Sequence, residues 1–159
     1  MTFSTRFSSK VGALTLEGDD SRLTRLGFGE ASVPQGDAAS LSAAAIHLEQ
    51  YFAGERTEFE LDLAVQGTEF ERRVWDEVRA IPYGQTATYA EIAERIGRPA
   101  ACRAVGRANA LNPIAIVVPC HRVVGSDGSL TGYAGGIAMK RALLDLEQGQ
   151  RRSAATPPS

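Results

Sequence analysis

The sequence is poor in the residues from which disulfide frameworks and metal sites are built. It contains two cysteines, Cys102 and Cys120, and two histidines, His47 and His121. Two cysteines are too few for a disulfide framework. A structural zinc ion takes four Cys or His ligands, so a zinc site would need every Cys and His of the sequence. We therefore expect no metal ion and no cofactor.

Long apolar runs and a strong net charge are also missing. No run approaches the roughly 20 residues that span a bilayer, and the start MTFSTRFSSK lacks the apolar region of a signal peptide. We therefore expect a cytoplasmic protein without a membrane partner. The net charge of −2 excludes a histone-like coat of positive charge, although a local patch could still bind nucleic acid.

The length of 159 residues and the hydrophobic share of 43% fit one large globular domain or two small ones. Residues 1–66 predict an N-terminal α/β domain. Short strand-like runs cover 2–7, 14–17 and 23–28, and alternating Phe59, Leu61 and Leu63 predict a further strand. Apolar residues at helical spacing predict a helix over 38–52, with Leu41 and Leu48 facing inward.

Residues 67–150 predict a second domain that is mainly helical. Thr68 with Glu71, and Thr88 with Glu91, have the spacing of capping boxes at helix starts. A third helix is predicted over 100–111. Together with the helix that begins at Thr88, it predicts a helix-turn-helix. A short buried strand over 114–118, a Gly-rich loop over 125–136 and a helix over 138–148 follow, the last with Met139, Leu143 and Leu146 inward. Residues 151–159 predict a disordered tail.

Charge is divided unevenly between these two domains. Residues 1–66 carry 5 basic and 10 acidic side chains, whereas residues 67–159 carry 12 basic and 9 acidic ones. Between Arg95 and Arg122 lie Arg98, Arg103 and Arg107 and no acidic residue. Because this stretch covers the second helix of the helix-turn-helix, it favours contact with DNA phosphates. A solvated helix face without any partner is the alternative.

The sequence Pro119-Cys120-His121-Arg122 follows the predicted buried strand. A thiolate is the nucleophilic form of cysteine, and a neighbouring base or cation raises its population. Cys120 beside His121 therefore indicates a nucleophile. A buried cysteine that serves as a small apolar filler is the alternative interpretation.

Residues 116–147, IVVPCHRVVGSDGSLTGYAGGIAMKRALLDLE, carry the PCHR signature unchanged. With the upstream segments IPYGQTATYAEIAERIG and CRAVGRANALNP, this tract resembles the O6-alkylguanine-DNA alkyltransferases over about residues 67–149. The resemblance implies an α+β protein in which a ribonuclease-H-like sheet with a helix precedes a winged helix-turn-helix domain. It implies DNA repair in which an alkyl group moves from O6 of guanine, or O4 of thymine, to the acceptor cysteine. The acceptor is then consumed.

The resemblance also implies the catalytic residues. Cys120 is the acceptor, His121 deprotonates it through a water molecule, and Glu147 orients His121 in a relay similar to hydrolase triads. Tyr89 donates a proton to guanine N3, and the side chain of Asn112 ties the helix-turn-helix to the PCHR segment. Without the resemblance, Glu147 is interpreted as an exposed surface residue and Tyr89 as a packed side chain. Asn112 is then interpreted as the residue that ends a helix before a proline.

DNA contacts are implied by the same resemblance. Arg103 enters the duplex in place of a flipped base, since O6 is out of reach inside the stack. Ala104 and Gly106 let the helix approach the minor groove of double-stranded DNA closely and without sequence preference, although small residues also permit packing against a neighbouring helix. Further phosphate contacts are expected from three arginines: Arg98, Arg107 and Arg122. The protein is expected to act as a monomer.

The alkyl pocket is implied to lie along the Gly-rich loop, where Tyr133, Ala134 and Gly135 form its wall. The carbonyls of Cys120 and Val123 would hold the guanine amino group. Cys102, directly before Arg103, is interpreted as a small filler rather than a second acceptor. Three alternatives remain: a non-catalytic alkyltransferase-like protein, which lacks an acceptor cysteine, a winged helix-turn-helix regulator, and a cysteine hydrolase that turns over.

Overall fold

The computed structural model describes the backbone of residues 1–155 and the side chains of residues 1–149. The chain forms two compact units. The first consists of Met1–Gln66 with Pro113–Val117, and the second of Gly67–Asn112 with the chain from Val118 onward. The end of the predicted disordered tail, residues 156–159, lies outside the described residues. No helix within the described range is long and apolar enough to cross a membrane.

The first unit is built on an antiparallel sheet of three strands in the order β1-β2-β3. These strands are β1 (Phe3–Ser9), β2 (Gly12–Gly18) and β3 (Leu23–Gly27), and helix α1 spans Ala39–Phe52. Gly12 pairs with Ser9 at the hairpin and adopts a φ of 131°, a conformation that favours glycine. Leu14 and Leu16 of β2 and Leu48 of α1 are fully buried, so the helix and the sheet share one apolar core.

Residues 59–63, predicted to be a strand, form only an isolated bridge between Leu63 and Leu23. The N–H of Leu23 donates to the Asp62 carbonyl, and its own carbonyl accepts from Ala64. No further pairing follows, and the ring of Phe59 instead packs against Tyr51 of α1 with 5.5 Å between centroids. The alternating pattern therefore reflects packing on a helix rather than a strand in the sheet.

The prediction of a strand over 114–118 is also wrong. Ile114 forms an isolated bridge with Leu26, and Ile116 then adopts a positive φ of 70°, which ends the extended conformation. All five residues are nevertheless buried. A short apolar run predicts burial reliably, but periodicity alone does not establish that it is a strand.

The second unit contains α2 (Glu69–Arg79), α3 (Tyr89–Arg95), α4 (Cys102–Ala110) and α5 (Ile137–Ala155). Both capping boxes are confirmed. The hydroxyl of Thr68 accepts from the N–H of Glu71, whose carboxylate accepts from the N–H of Thr68, and Thr88 with Glu91 repeats the arrangement. Each box satisfies N–H groups that have no partner inside the helix and fixes where it begins.

A two-stranded parallel sheet connects the helix-turn-helix to the PCHR segment. Strand β4 (Ala87–Thr88) immediately precedes α3, and strand β5 (Val123–Val124) immediately follows a short 3₁₀ turn over Cys120–Arg122. Ala87 pairs with Val123, and Thr88 with Val124. The start of α3 is thereby fixed beside the end of the PCHR segment.

The buried face of helix α5 differs from the predicted one. Leu143 is buried as predicted, but Met139 and Leu146 are only half-buried. The most buried side chains of α5 include two charged ones, Lys140 and Glu147. Because residues three and four apart share a helix face, Lys140, Leu143 and Glu147 project in the same direction. The helix also continues to Ala155, beyond the predicted end at 148 and through residues 151–155, for which disorder was predicted.

Candidate active site

The backbone before Cys120 is strained. Ile116 is the one non-glycine residue with a positive φ among the described residues, and this conformation is rare for a β-branched side chain. The N–H of Cys120 donates to the Val118 carbonyl at 2.7 Å, and Cys120 is only 6% exposed. Such strain persists where the surroundings dictate one backbone path, here the path to a buried thiol at the start of a 3₁₀ turn.

His121 and Glu147 form a buried hydrogen-bonded pair. Nε2 of His121 lies 2.7 Å from Oε2 of Glu147, and both side chains are essentially inaccessible to solvent. Burial lowers the pKa of His121 and outweighs the opposing effect of Glu147. The imidazole is therefore neutral with Nε2–H donating to the carboxylate. Nδ1 is buried and has no hydrogen-bond partner among the described residues, which leaves it as a base.

Arg122 forms a fork on the same carboxylate. Its Nε lies 2.8 Å from Oε1 of Glu147 and its Nη2 lies 3.0 Å from Oε2, while Nη1 donates to the Ile81 carbonyl at 2.7 Å. Arg122 is 6% exposed. The prediction that Arg122 contacts DNA is therefore wrong, since its donors are engaged inside the protein and cannot reach a phosphate. It instead holds the partner of His121.

Glu147 remains ionised because of these two partners. Burial alone raises the pKa of its carboxyl group, but the hydrogen bonds from His121 and Arg122 and the charge of Arg122 lower that pKa to about 2. The N–H of Gly84 lies 3.4 Å from Oε1 as a weaker donor. A permanent negative charge beside His121 stabilises an imidazolium when one forms.

Two asparagines at the end of the α4 region contact the Cys120 segment. The side chain of Asn112 donates to the Val118 carbonyl at 2.7 Å. Burial raises the pKa of the Cys120 thiol, and a hydrogen bond with Asn112 acts in the opposite direction. Asn109, which sequence reasoning missed, donates from Nδ2 to the Cys120 carbonyl at 3.2 Å. Its place one turn after the apolar Val105 could have marked it as a polar side chain on the buried face.

Lys140 is the second functional candidate that sequence reasoning missed. Its Nζ donates to the carbonyls of Val123 at 2.6 Å and Thr131 at 2.9 Å. Burial lowers its pKa, and the charge of a Cys120 thiolate acts in the opposite direction. The hydroxyl of Tyr89 also donates to the Thr131 carbonyl, at 3.1 Å. Lys140 and Tyr89 together hold one carbonyl of the Gly-rich loop.

The predicted pocket residues lie along this loop and at its start. Val123 is buried, and Tyr133 and Gly135 are half-buried, whereas Ala134 is exposed. Burial raises the pKa of Tyr133, so its hydroxyl is neutral at physiological pH. Among the described side chains, His, Cys, Asp and Glu form no group of three that could hold a metal ion.

The outer face of α4 and the turn before it present arginines and small side chains. Arg98, Arg103 and Arg107 are exposed, and Ala104 and Gly106 are half-exposed. The opposite face buries Val105, Ala108 and Asn109. Cys102 is exposed as well, so its interpretation as a packed filler is wrong. This face combines the positive charge of arginines with small side chains between them, an arrangement that suits close approach to a polyanion.

Comparison with known proteins identifies the family. Residues 69–149 match the model of the 6-O-methylguanine DNA methyltransferase DNA-binding domain, and residues 3–65 match the ribonuclease-like domain of the same family. The two matches span most of the sequence and bear out the predicted fold class. The chain therefore belongs to the 6-O-methylguanine DNA methyltransferase family.

Individual relatives agree with this assignment. A methylated-DNA–protein-cysteine methyltransferase of Mycobacterium bovis is 52% identical over 146 residues, which cover 88% of each chain. One from Methanosarcina acetivorans is 48% identical and covers 89% of this chain and 95% of that protein. The crystal structure of Mycobacterium tuberculosis OGT in complex with DNA superposes with a TM-score of 0.87 at 50% identity, covering 93% of this chain and 94% of that one.

Proposed function

We propose that the protein repairs alkylated DNA by direct reversal, transferring one alkyl group from O6 of guanine to Sγ of Cys120. This proposal rests on the order of the buried functional groups at the PCHR turn. Cys120 precedes a neutral His121 whose Nε2 is bound to Glu147, while Nδ1 has no partner within the described residues. A nucleophile is thus followed by a base, and an anion orients that base.

The chemical step is a single substitution at carbon. Nδ1 of His121 takes the thiol proton through a water molecule, and the thiolate attacks the alkyl carbon. The C–S bond forms as the bond to O6 breaks, and the electron pair leaves on guanine. The Tyr89 hydroxyl leaves its hydrogen bond to the Thr131 carbonyl and supplies a proton to N3, so guanine departs neutral, and Tyr89 regains a proton from solvent. Glu147 stays charged, with its pKa near 2, and stabilises the imidazolium of His121.

The protein is consumed in this reaction. A thioether has no leaving group that this site could activate, because His121 and Glu147 move protons only. We extend the proposal to O4 of thymine, whose alkyl group presents the same carbon electrophile. A soft sulfur nucleophile suits attack on such a carbon, and burial of Cys120 separates the sulfur from bulk solvent.

Double-stranded DNA carrying the lesion is the proposed partner, bound through α4 in the minor groove. The target atom lies inside the base stack, so the base must be flipped, which costs least for a mispaired base. Arg103, exposed on α4, fills the vacated space, and Arg98 and Arg107 contact phosphates. Ala104 and Gly106 permit close approach without reading sequence. We further propose that the protein acts as a monomer in the cytoplasm.

Intact-mass measurement after incubation with duplex DNA containing O6-methylguanine tests this function. We expect a gain of one methyl group per protein, located on the peptide that contains Cys120. The variant Cys120→Ser should gain nothing, whereas Cys102→Ser, which removes the exposed cysteine, should behave as the wild type. No adduct on the wild type would refute the proposal, and repeated turnover would indicate a hydrolase.

A further inference from the structure

Leu111 is a large apolar side chain on the outer face of the helix-turn-helix. It follows α4 directly as the C-cap residue and is 63% exposed. The other strongly exposed large apolar side chains of the described residues lie elsewhere, at Met1, Ile46 and Ile137. A single exposed leucine is ordinary on a protein surface, so the meaning of Leu111 depends on what lies beside it.

The neighbours of Leu111 on α4 are the arginines proposed to contact DNA. Residues four apart share a helix face, so Arg103, Arg107 and Leu111 form one row along the outside of α4. Both arginines are exposed, and the opposite face buries Val105 and Ala108. With a rise of about 1.5 Å per residue, Leu111 lies about 12 Å along the helix axis from Arg103. The row thus presents two cations followed by one apolar side chain.

The backbone around Leu111 is held in place on both sides. Its N–H is directed at the carbonyls of Arg107 and Ala108, at 3.1 and 3.2 Å. The next residue, Asn112, donates from its side chain to the Val118 carbonyl at 2.7 Å, which fixes the end of α4 relative to the segment before the PCHR turn. A side chain on a fixed backbone reduces the ordering cost that a partner must offset on binding.

The charge around this row determines the class of partner that it fits. No acidic residue occurs between Arg95 and Arg122, so the row favours a partner of strong negative charge. Double-stranded DNA offers phosphates and, between them, the C–H faces of the deoxyriboses that line the minor groove. Proteins that bind this groove combine cationic side chains with apolar ones such as leucine. Leu111 beside Arg107 matches that combination.

We propose that Leu111 is a DNA-binding residue, whose side chain packs against deoxyriboses in the minor groove while Arg107 contacts a neighbouring phosphate. This inference rests on the proposed binding of DNA through α4 and adds an uncharged contact to it. Because every nucleotide carries the same sugar, the contact is independent of sequence. Ionic contacts weaken as salt rises because they release counterions, whereas the contact of Leu111 releases none and persists at high salt.

Fluorescence anisotropy with a short labelled duplex that carries no lesion tests this contact at several salt concentrations. We expect Leu111→Ser to weaken binding by about tenfold, since covering the exposed part of a leucine contributes about that factor, and by the same factor at each salt concentration. Arg107→Gln should instead weaken binding most at low salt and reduce the slope of log affinity against log salt by about 0.9. Leu111→Met, which restores an apolar side chain, should bind as the wild type does.

Ile46→Ser is the matched control, because Ile46 is 53% exposed on α1, outside the helix-turn-helix. It should leave DNA affinity unchanged, and the urea midpoint of Leu111→Ser should equal that of the wild type, since an exposed side chain contributes little to stability. Unchanged affinity in Leu111→Ser would overturn the inference, as would a loss that depends on salt in the way expected for Arg107→Gln. Loss of a wild-type dimer in Leu111→Ser, seen by sedimentation without DNA, would assign the side chain to self-association instead.

This measurement separates the inference from the proposed function. Binding to an undamaged duplex requires no alkyl transfer, so Leu111 can fail as a contact while Cys120 still accepts a methyl group. If the wild type does not bind the duplex at all, the proposed binding of DNA through α4 fails, and the inference with it.

Discussion

Replacing Glu147 by glutamine should destabilise the second unit strongly, because the carboxylate is the anion of a buried cluster. Glu147 accepts from Nε and Nη2 of Arg122 and from Nε2 of His121, at distances of 2.7 to 3.0 Å. Glutamine keeps the shape of the side chain but removes the charge. The Arg122 guanidinium is then left buried without an anion.

Two ways of counting the same interaction give the size of the effect. Removing one partner of a buried ion pair costs about 3–5 kcal/mol, because the other charge stays desolvated. The pKa of Glu147 near 2, against an ordinary value of 4.5, corresponds to about 3 kcal/mol of stabilisation of the ionised folded protein. We therefore expect Glu147→Gln to lower the free energy of unfolding by about 3 kcal/mol.

Urea unfolding followed by tryptophan fluorescence measures this loss directly. Trp75 is the single tryptophan of the chain, and it is buried in the second unit with Nε1 donating to the Ala108 carbonyl. With a slope of about 1–3 kcal/mol per molar urea, the midpoint should fall by about 1–3 M. The double variant Glu147→Gln/Arg122→Met should recover part of the loss, since it removes the stranded cation. A loss below about 1 kcal/mol, or strictly additive effects in the double variant, would refute the reasoning.

Two further predictions concern pH and DNA. Because folding lowers the pKa of Glu147, the stabilisation from its carboxylate is complete above pH 4.5 and disappears as pH falls towards 2. The difference in urea midpoint between wild type and Glu147→Gln should therefore shrink over that range. A constant difference would contradict the lowered pKa of Glu147. Arg103→Ala should slow methyl transfer from duplex DNA by at least about tenfold while leaving reaction with free O6-benzylguanine unchanged, since only a duplex has a vacated stacking position. Equal slowing of both reactions, measured by intact mass, would show that Arg103 does not act by filling the space of the flipped base.

Signals that act within a few residues were read correctly from the sequence. Thr68 with Glu71 and Thr88 with Glu91 form capping boxes because their hydrogen bonds depend on a three-residue spacing and little else. The prediction of a strand over 114–118 is wrong because a strand also needs a neighbouring strand that pairs with it along its length. Its neighbour Leu26 offers one bridge, and the positive φ of Ile116 is a tertiary consequence that no local pattern encodes.

The site was predictable only in part for the same reason. The adjacency of Cys120 and His121 is visible in the sequence, and the family resemblance supplied Glu147. The partner of Arg122 lies 25 residues away, and its burial against Glu147 follows from how α5 packs. Lys140 resembled a surface lysine, although its helix-face neighbours at three and seven residues, Leu143 and Glu147, are both buried. Burial, rather than residue type, separates structural from accessible charges.

The difference between buried and accessible charges limits which arginines of the acid-free stretch from Arg95 to Arg122 can contact DNA. Arg122 is committed to Glu147, and Arg95 lies 3.7 Å from Glu91 on the surface. If Arg103 enters the duplex as proposed, Arg98 and Arg107 remain as the phosphate contacts of this stretch. Each neutralised phosphate contributes about −0.9 to the slope of log affinity against log salt, so the two contribute about −1.8. Such a shallow dependence keeps binding to undamaged DNA weak, and it assigns preference for the lesion to the pocket around Cys120 rather than to the phosphate backbone.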